Sequence, residues 1–258
     1  SSSAASDVYK RQHFGMLVYC RVDLPLKDRA ILFFESLLYR TLYGRPDGVV
    51  VSGFFPAAPK RPDVTFVGPV IRKEVQALEP SRGEHLVVYV GNGDDTFTPS
   101  VHEALLRCGV PTRIYGLSRV GVEKNLHFKA FSNLGFLSDL ASCRGVVATT
   151  GNQLLGEVLF LGKPILGMPM DCLEQRINAQ QIERLGIGAV AYGAYLPYEK
   201  LQSFLDRERE FAAGVHRLED GAEAAVNAIE SHVRPHASPD AADVAPGVTP
   251  ECSQARSR

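Results

Sequence analysis

From residue 86 onward the apolar positions fall into short unbroken runs, separated by stretches whose apolar residues recur at helical spacing. The runs at 86–90, 112–116, 145–149, 164–169 and 189–193 predict strands. The helical patterns cover 99–109, 136–143, 153–162, 174–186, 197–213 and 219–232. The strand runs are continuous rather than alternating, as expected for strands covered on both faces of a parallel sheet. Strand and helix alternate, which predicts an α/β architecture with helices on both sides of that sheet. Such sheets take ligands just outside the carboxyl ends of their strands. Residues 117–135 show no clear pattern.

The first part of the chain has a different rhythm. Ala30, Phe33, Phe34, Leu37 and Leu38 recur at helical spacing over 28–44, with Asp28 placed to cap the start and Gly44 to end it. Residues 48–55 predict a short buried strand. Pro56, Pro59, Pro62 and Pro69 then interrupt the chain, so 56–72 is expected to be an irregular, semi-rigid linker between a unit at 13–55 and a ligand-binding domain at 73–232. Residues 1–12 lack periodicity and read as a non-native leader, set aside here. Residues 233–258, rich in Pro, Ala, Ser and Asp, read as a disordered tail.

Composition narrows the function classes. Charged residues are 22% and the net charge is -1, which gives no electrostatic case for a nucleic-acid partner. Cys20, Cys108, Cys143, Cys172 and Cys252 show no C-x-x-C or Cys/His ligand spacing. Reduced thiols in a cytoplasmic compartment are expected, and no metal site. No apolar run approaches the ~18 residues needed to span a bilayer.

The candidate chemistry gathers where the predicted strands end. The strand at 145–149 runs through Thr149, Thr150, Gly151 and Asn152 into a helix, and a helix N-terminus behind a turn of small residues is an anion site. An ordinary strand-to-helix turn has the same appearance. Glu157, past the first turn, is flanked by Leu154, Leu155, Val158, Leu159, Phe160 and Leu161. A carboxylate on so apolar a helix needs partners: it reaches the ligand edge to accept ribose hydroxyls, is satisfied by backbone amides, or lies on a narrow solvated stripe. After the strand at 164–169 come Glu174, Gln175 and Asn178. Asp171 and Glu174 have capping-box spacing, while Gln175 and Asn178 share a helix face suited either to a polyol or to water. Gly91-Asn92-Gly93 permits close backbone approach, but Thr96 stands where a dinucleotide fingerprint needs glycine. Asp94 and Asp95 follow as candidate caps. The seven histidines show no triad or metal spacing.

Taken together, residues 136–188 resemble the C-terminal, donor-binding domain of GT-B glycosyltransferases, in the group of the peptidoglycan N-acetylglucosaminyltransferase and the soluble UDP-glucosyltransferases. The shared skeleton is Gly151, Glu157, Gly162-x-Pro164, Pro169, Glu174-Gln175 and Asn178-Ala179. Residues 66–75 resemble the interdomain linker of the same family. The resemblance implies a Rossmann-like fold in which Glu157 binds the nucleotide ribose and Thr149–Asn152 cradle the diphosphate. Glu174 and Gln175 hold the donor hexose, with Asn178 supporting the loop; Gly91 and Gly93 are counted with the donor-binding residues for the close backbone approach their size allows. Thr149 departs from the phosphate-binding histidine of many plant-type members, and Leu154 and Leu155 replace a Ser or Thr.

The same resemblance implies a hexosyltransferase using a nucleotide-sugar, a UDP-sugar by preference, with no cofactor and no metal. The acceptor is unknown; lipid-linked acceptors in the family bring with them peripheral attachment at the inner face of the membrane. Only the last helix and strand of a first domain are expected within 13–55, so the catalytic base is expected outside this chain and the fragment is expected to transfer little sugar. Two alternatives stay open: a nucleotide-sugar 2-epimerase, and a non-catalytic donor-binding subunit that needs a partner half. The face carrying Phe33, Phe34, Leu37 and Leu38 is expected to be buried against a first domain rather than in lipid.

Overall fold

The computed structural model describes residues 15–43, 46–91, 96–130, 132–216 and 218–233. The predicted leader, nearly all of the predicted tail, Gly44, Asn92, Gly93, Asp94 and Asp95 lie outside them.

In chain order the first elements are α1 (Gly15–Tyr19), β1 (Cys20–Arg21), α2 (Leu26–Tyr43), β2 (Val49–Ser52), β3 (Ala58–Pro59), β4 (Val64–Val67) and α3 (Lys73–Gln76). α2 starts two residues before the predicted helix, because the Pro25 carbonyl accepts from the amides of Asp28 and Arg29. Asp28 therefore does not cap. It is 2% exposed and accepts from Arg176 Nη2 at 3.0 Å, tying α2 to a helix far along the chain.

The stretch at 56–72 corrects the expectation of an irregular linker. β3 pairs antiparallel with β1, and β4 pairs parallel with β2 in the register Val49↔Val64 to Ser52↔Val67. The prolines were the misleading signal. They bound Val64-Thr65-Phe66-Val67, a β-branched and aromatic run that makes a good strand once a partner exists. Residues 56–57, 60–63 and 68–72 of this stretch lie outside the two strands.

The remaining elements are β5 (Leu86–Tyr89), α4 (Pro99–Cys108), β6 (Thr112–Tyr115), β7 (Gly121–Glu123), β8 (Leu126–Phe128), α5 (Asn133–Ser142), β9 (Gly145–Ala148), α6 (Asn152–Phe160), β10 (Ile165–Gly167), α7 (Leu173–Arg184), β11 (Gly188–Val190), α8 (Tyr198–Gly214) and α9 (Ala222–Val233). Each lies where the periodicity predicts one, within a few residues. The exceptions are β7 and β8, a hairpin in the unclassified stretch, which turns through Lys124 at φ 52.

One seven-stranded sheet results, in the order β11-β10-β9-β5-β6-β8-β7, parallel except for β7. Two separate apolar clusters cover its faces, and neighbouring strand residues divide between them. Val146 belongs to one cluster and Val147 to the other. That division is why the strands read as continuous apolar runs.

Polar contacts at two places fasten the periphery. Glu208 on α8, 3% exposed, receives Arg144 Nε at 2.5 Å and also pairs with Arg82. The turn before α9 docks on the first part of the chain, with Gly221 N donating to the Pro69 carbonyl and Ile71 N to Asp220 Oδ1, both at 2.8 Å. No helix among the described residues is long and apolar enough to cross a membrane.

Candidate functional site

The chain leaves β5 toward β6 and β8, then returns to place β9 on the other side of β5 before continuing to β10 and β11. The connections therefore diverge between β5 and β9, the place where open α/β sheets form a crevice. A cavity of about 790 Å³ opens there, lined by Tyr89 at the end of β5 and Thr149 just past β9.

Two helix N-termini face this cavity. α6 has Gly151 as its N-cap and α7 has Cys172, and neither helix start carries a side-chain cap. Gly151, Asn152, Gln153, Cys172, Leu173 and Glu174 all line the space. Uncapped amides and two helix dipoles converge on one volume, which favours an anion. The capping box expected from Asp171 and Glu174 does not form. With Cys172 as N-cap, Asp171 lies outside the helix, fully exposed, and pairs with Arg176 Nη1 at 2.8 Å.

Behind the cavity wall a clamp joins the β9–α6 turn to α7. Gln175 Oε1 accepts from Met170 N at 2.9 Å and Thr150 N at 3.2 Å. Thr150 Oγ1 donates to the Gln175 carbonyl at 2.8 Å, and Asn178 Nδ2 donates to the Thr150 carbonyl at 2.9 Å. Thr150 is fully buried and Asn178 is 3% exposed. The hydroxyl of Thr150 and the amide of Asn178 thus serve the fold, neither reaching a polyol nor resting in water. Buried polar groups must be paired, and these pair with backbone carbonyls, Thr150 with that of Gln175 and Asn178 with that of Thr150.

Glu157 is 2% exposed, so the solvated stripe does not exist. Its partner is not backbone amide either. Arg72, on the irregular stretch before α3, donates Nε to Oε1 at 2.6 Å and Nη2 to Oε2 at 2.8 Å. Arg72 Nη1 reaches Asn133 Oδ1 at 3.0 Å. This planar, two-pronged pairing is the strong form of an Arg–carboxylate contact. Sequence reasoning missed Arg72. The residues stand 85 positions apart, and Arg72 is followed directly by Lys73 and Glu74, so no local pattern singles it out.

Of the residues singled out from the sequence, Thr149, Gly151, Asn152, Glu157, Glu174 and Gln175 line the cavity together. Gly91 lies against it: a Cβ there would stand 3.2 Å from Thr149 Oγ1. Gly93 falls outside the described residues. An unforeseen wall comes from α2, which contributes Ile31 and Glu35. Among the described residues, Glu35 Oε2 and Asn152 Oδ1 are the buried side-chain atoms left without a hydrogen-bond partner, and both residues line this cavity. Burial pushes the Glu35 carboxyl above its ordinary pKa, against the pull of Arg176. No group of three or more His, Cys, Asp or Glu converges as a metal site among the described residues.

A family model described as "Glycosyl transferase family 1" matches residues 12–208. MurG from Acinetobacter baumannii superposes with a TM-score of 0.53 at 15% identity, over 78% of this chain and 71% of that one. CalG4, the calicheamicin glycosyltransferase, gives 0.51 at 14% identity, over 91% of this chain and 62% of that one. Os79 from O. sativa, in a structure with UDP and deoxynivalenol-3-glucoside, gives 0.51 at 16% identity, over 66% and 49%. The chain spans 58% of the kitacinnamycin glycotransferase and 62% of CalG4. A comparison with curated proteins found no match. At these identities the structural likenesses concern the fold, a Rossmann-like layer of the GT-B type.

Proposed function

The chain belongs to glycosyl transferase family 1, and on that premise we propose that it binds the nucleotide-sugar donor for hexosyl transfer. The observation that carries this reading is the cleft between β5 and β9, where two uncapped helix starts and the buried Glu157 carboxylate face one cavity. The diphosphate takes the start of α6, where the amides after Gly151 and the helix dipole favour negative charge. Glu157 takes the ribose hydroxyls. A carboxylate has about four lone-pair sites; Arg72 uses two and Gln153 Nε2 makes a long third contact to Oε1 at 3.5 Å, which leaves acceptor capacity for a ribose hydroxyl. The hexose extends toward Glu174 at the start of α7. UDP is the nucleotide we favour, on the analogy of the Os79 structure that holds it.

In the transfer an acceptor hydroxyl attacks the anomeric carbon while the bond from that carbon to the diphosphate breaks, and its electron pair leaves on the diphosphate. The two helix starts stabilise that developing charge. The hydroxyl proton goes to a base that we place on protein outside this chain. Phe33, Phe34, Leu37 and Leu38 on α2 are between 54% and 68% exposed. We read that face as a seat for further protein in a cytoplasmic enzyme, with the membrane surface as the rival occupant.

Titration calorimetry with UDP tests the donor site. The expected result is measurable binding, weakened roughly tenfold or more by Glu157→Ala and less by Glu157→Gln, the loss anticipated for a charge-assisted hydrogen bond. Equal affinities for all three proteins overturn the ribose assignment. No binding by any of them overturns the donor site itself.

A further inference from the structure

The hexose end of this cleft is short of acceptors on the α7 side. Gln175 turns its Oε1 to the amides of Met170 and Thr150, and Asn178 lies behind the wall, so neither presents an oxygen to a sugar. Glu174 lines the cavity from α7. From α2 comes a second carboxylate, Glu35, whose Oε2 is buried and has no hydrogen-bond partner among the described residues.

The position of Glu35 is built into the fold. Arg176 on α7 donates to Asp28 on α2 at 3.0 Å, and Asp28 is 2% exposed. Glu35 follows Asp28 by seven residues, which returns it to the same side of the helix two turns on. The ion pair therefore holds Glu35 against the start of α7, where burial raises its carboxyl pKa and the nearby Arg176 opposes that rise. A buried acceptor without a donor is costly, and native folds leave few of them. Charge decides what kind of donor completes it. Two carboxylates, Glu35 and Glu174, repel a diphosphate but accept hydrogen bonds from a neutral polyol, so this end suits the sugar and the start of α6 suits the anion.

We infer, on the basis of the donor site proposed above, that Glu35 accepts a hydroxyl hydrogen of the donor's hexose, making α2 a wall of the sugar pocket. Glu35 thereby helps decide which hexose the cleft accepts.

The test uses the whole chain and calorimetric titration with three probes: UDP, UDP-glucose and UDP-N-acetylglucosamine. The expected result is that at least one UDP-sugar binds the parent protein more tightly than UDP. Glu35→Gln and Glu35→Ala should leave UDP affinity unchanged and weaken that UDP-sugar about tenfold or more. If UDP binds and the gain from the hexose survives both substitutions, Glu35 is no sugar ligand and the donor site still stands. If UDP and UDP-sugar weaken in parallel, Glu35 has only a structural role and the inference falls. A parent protein that prefers no UDP-sugar to UDP overturns it too. Failure to bind UDP at all removes the donor site and this inference together.

Discussion

Arg72 holds both oxygens of Glu157, Nε to Oε1 at 2.6 Å and Nη2 to Oε2 at 2.8 Å, joining the stretch before α3 to the middle of α6. The two ends of this pair differ in burial. The Glu157 side chain is 2% exposed and that of Arg72 is 34% exposed.

That asymmetry gives unequal costs for removing either partner. Arg72→Ala strands a buried carboxylate and is expected to cost about 3–5 kcal/mol. Glu157→Ala leaves a guanidinium that water already reaches, and is expected to cost about 1–2 kcal/mol. Urea denaturation of the two variants checks the order, and the reverse order would contradict the burial seen here. The double variant Arg72→Met with Glu157→Leu is expected to recover much of the loss, because no charge is then left buried.

The clamp behind the cleft makes a second expectation. Gln175→Ala leaves the amides of Met170 and Thr150 without their acceptor and is expected to cost about 1–3 kcal/mol. Gln175→Glu keeps an acceptor oxygen and is expected to cost less. Hydrogen exchange read at the Thr150 and Met170 amides should accelerate in the alanine variant and stay slow in the glutamate variant.

His85 provides a pH dependence. It is 7% exposed, and its Nε2–H donates to the Asp139 carbonyl at 3.0 Å. Burial pushes its pKa down, helped by Arg113 and Lys163 and opposed by that carbonyl. The folded pKa lies below the unfolded one, so as pH falls through about 6.5 the unfolded chain takes up a proton that the folded chain refuses. Stability from this residue is whole above about pH 6.5 and is lost progressively below it, down to the depressed folded pKa. His85→Gln should remove this contribution to the pH dependence in denaturation measured between about pH 5 and 8.

Cys172 reports on the cleft. It is exposed, stands at the N-cap position of α7 and lines the cavity. A helix N-terminus lowers a thiol pKa, yet here the surrounding protein costs the thiolate solvation and pushes the pKa up. Alkylation of Cys172 is therefore expected to be slower than that of a free thiol. It should slow several-fold further when UDP is present. Peptide-resolved mass spectrometry follows this residue apart from the buried Cys20 and Cys143. Labelling indifferent to saturating UDP would place the nucleotide elsewhere.

How much of this was legible beforehand follows the range of the physics involved. The order of strands and helices from β5 to α9 was readable, because an element buried on both faces has to be apolar along its whole length. So was the convergence of Thr149, Gly151, Asn152, Glu157 and Glu174, since parallel strands bring their carboxyl ends to one edge whatever the loops do. Local pattern failed at β3 and β4, where prolines outweighed a good strand run that needed a distant partner. It failed for the Thr150 hydroxyl, which looked available and donates to the Gln175 carbonyl, whereas Asn178 bonds the Thr150 carbonyl in keeping with a role in supporting that loop.

By itself, then, the sequence determined which segments would be strands or helices and which edge would carry the chemistry, because periodicity records burial residue by residue. Only the tertiary structure decided that Arg72 meets Glu157, that Gln175 faces inward, and that α2 brings Glu35 to the cleft. Those are choices of partner between segments far apart in the chain, and a carboxylate has the same local pattern whether its donor is water, an arginine or a sugar.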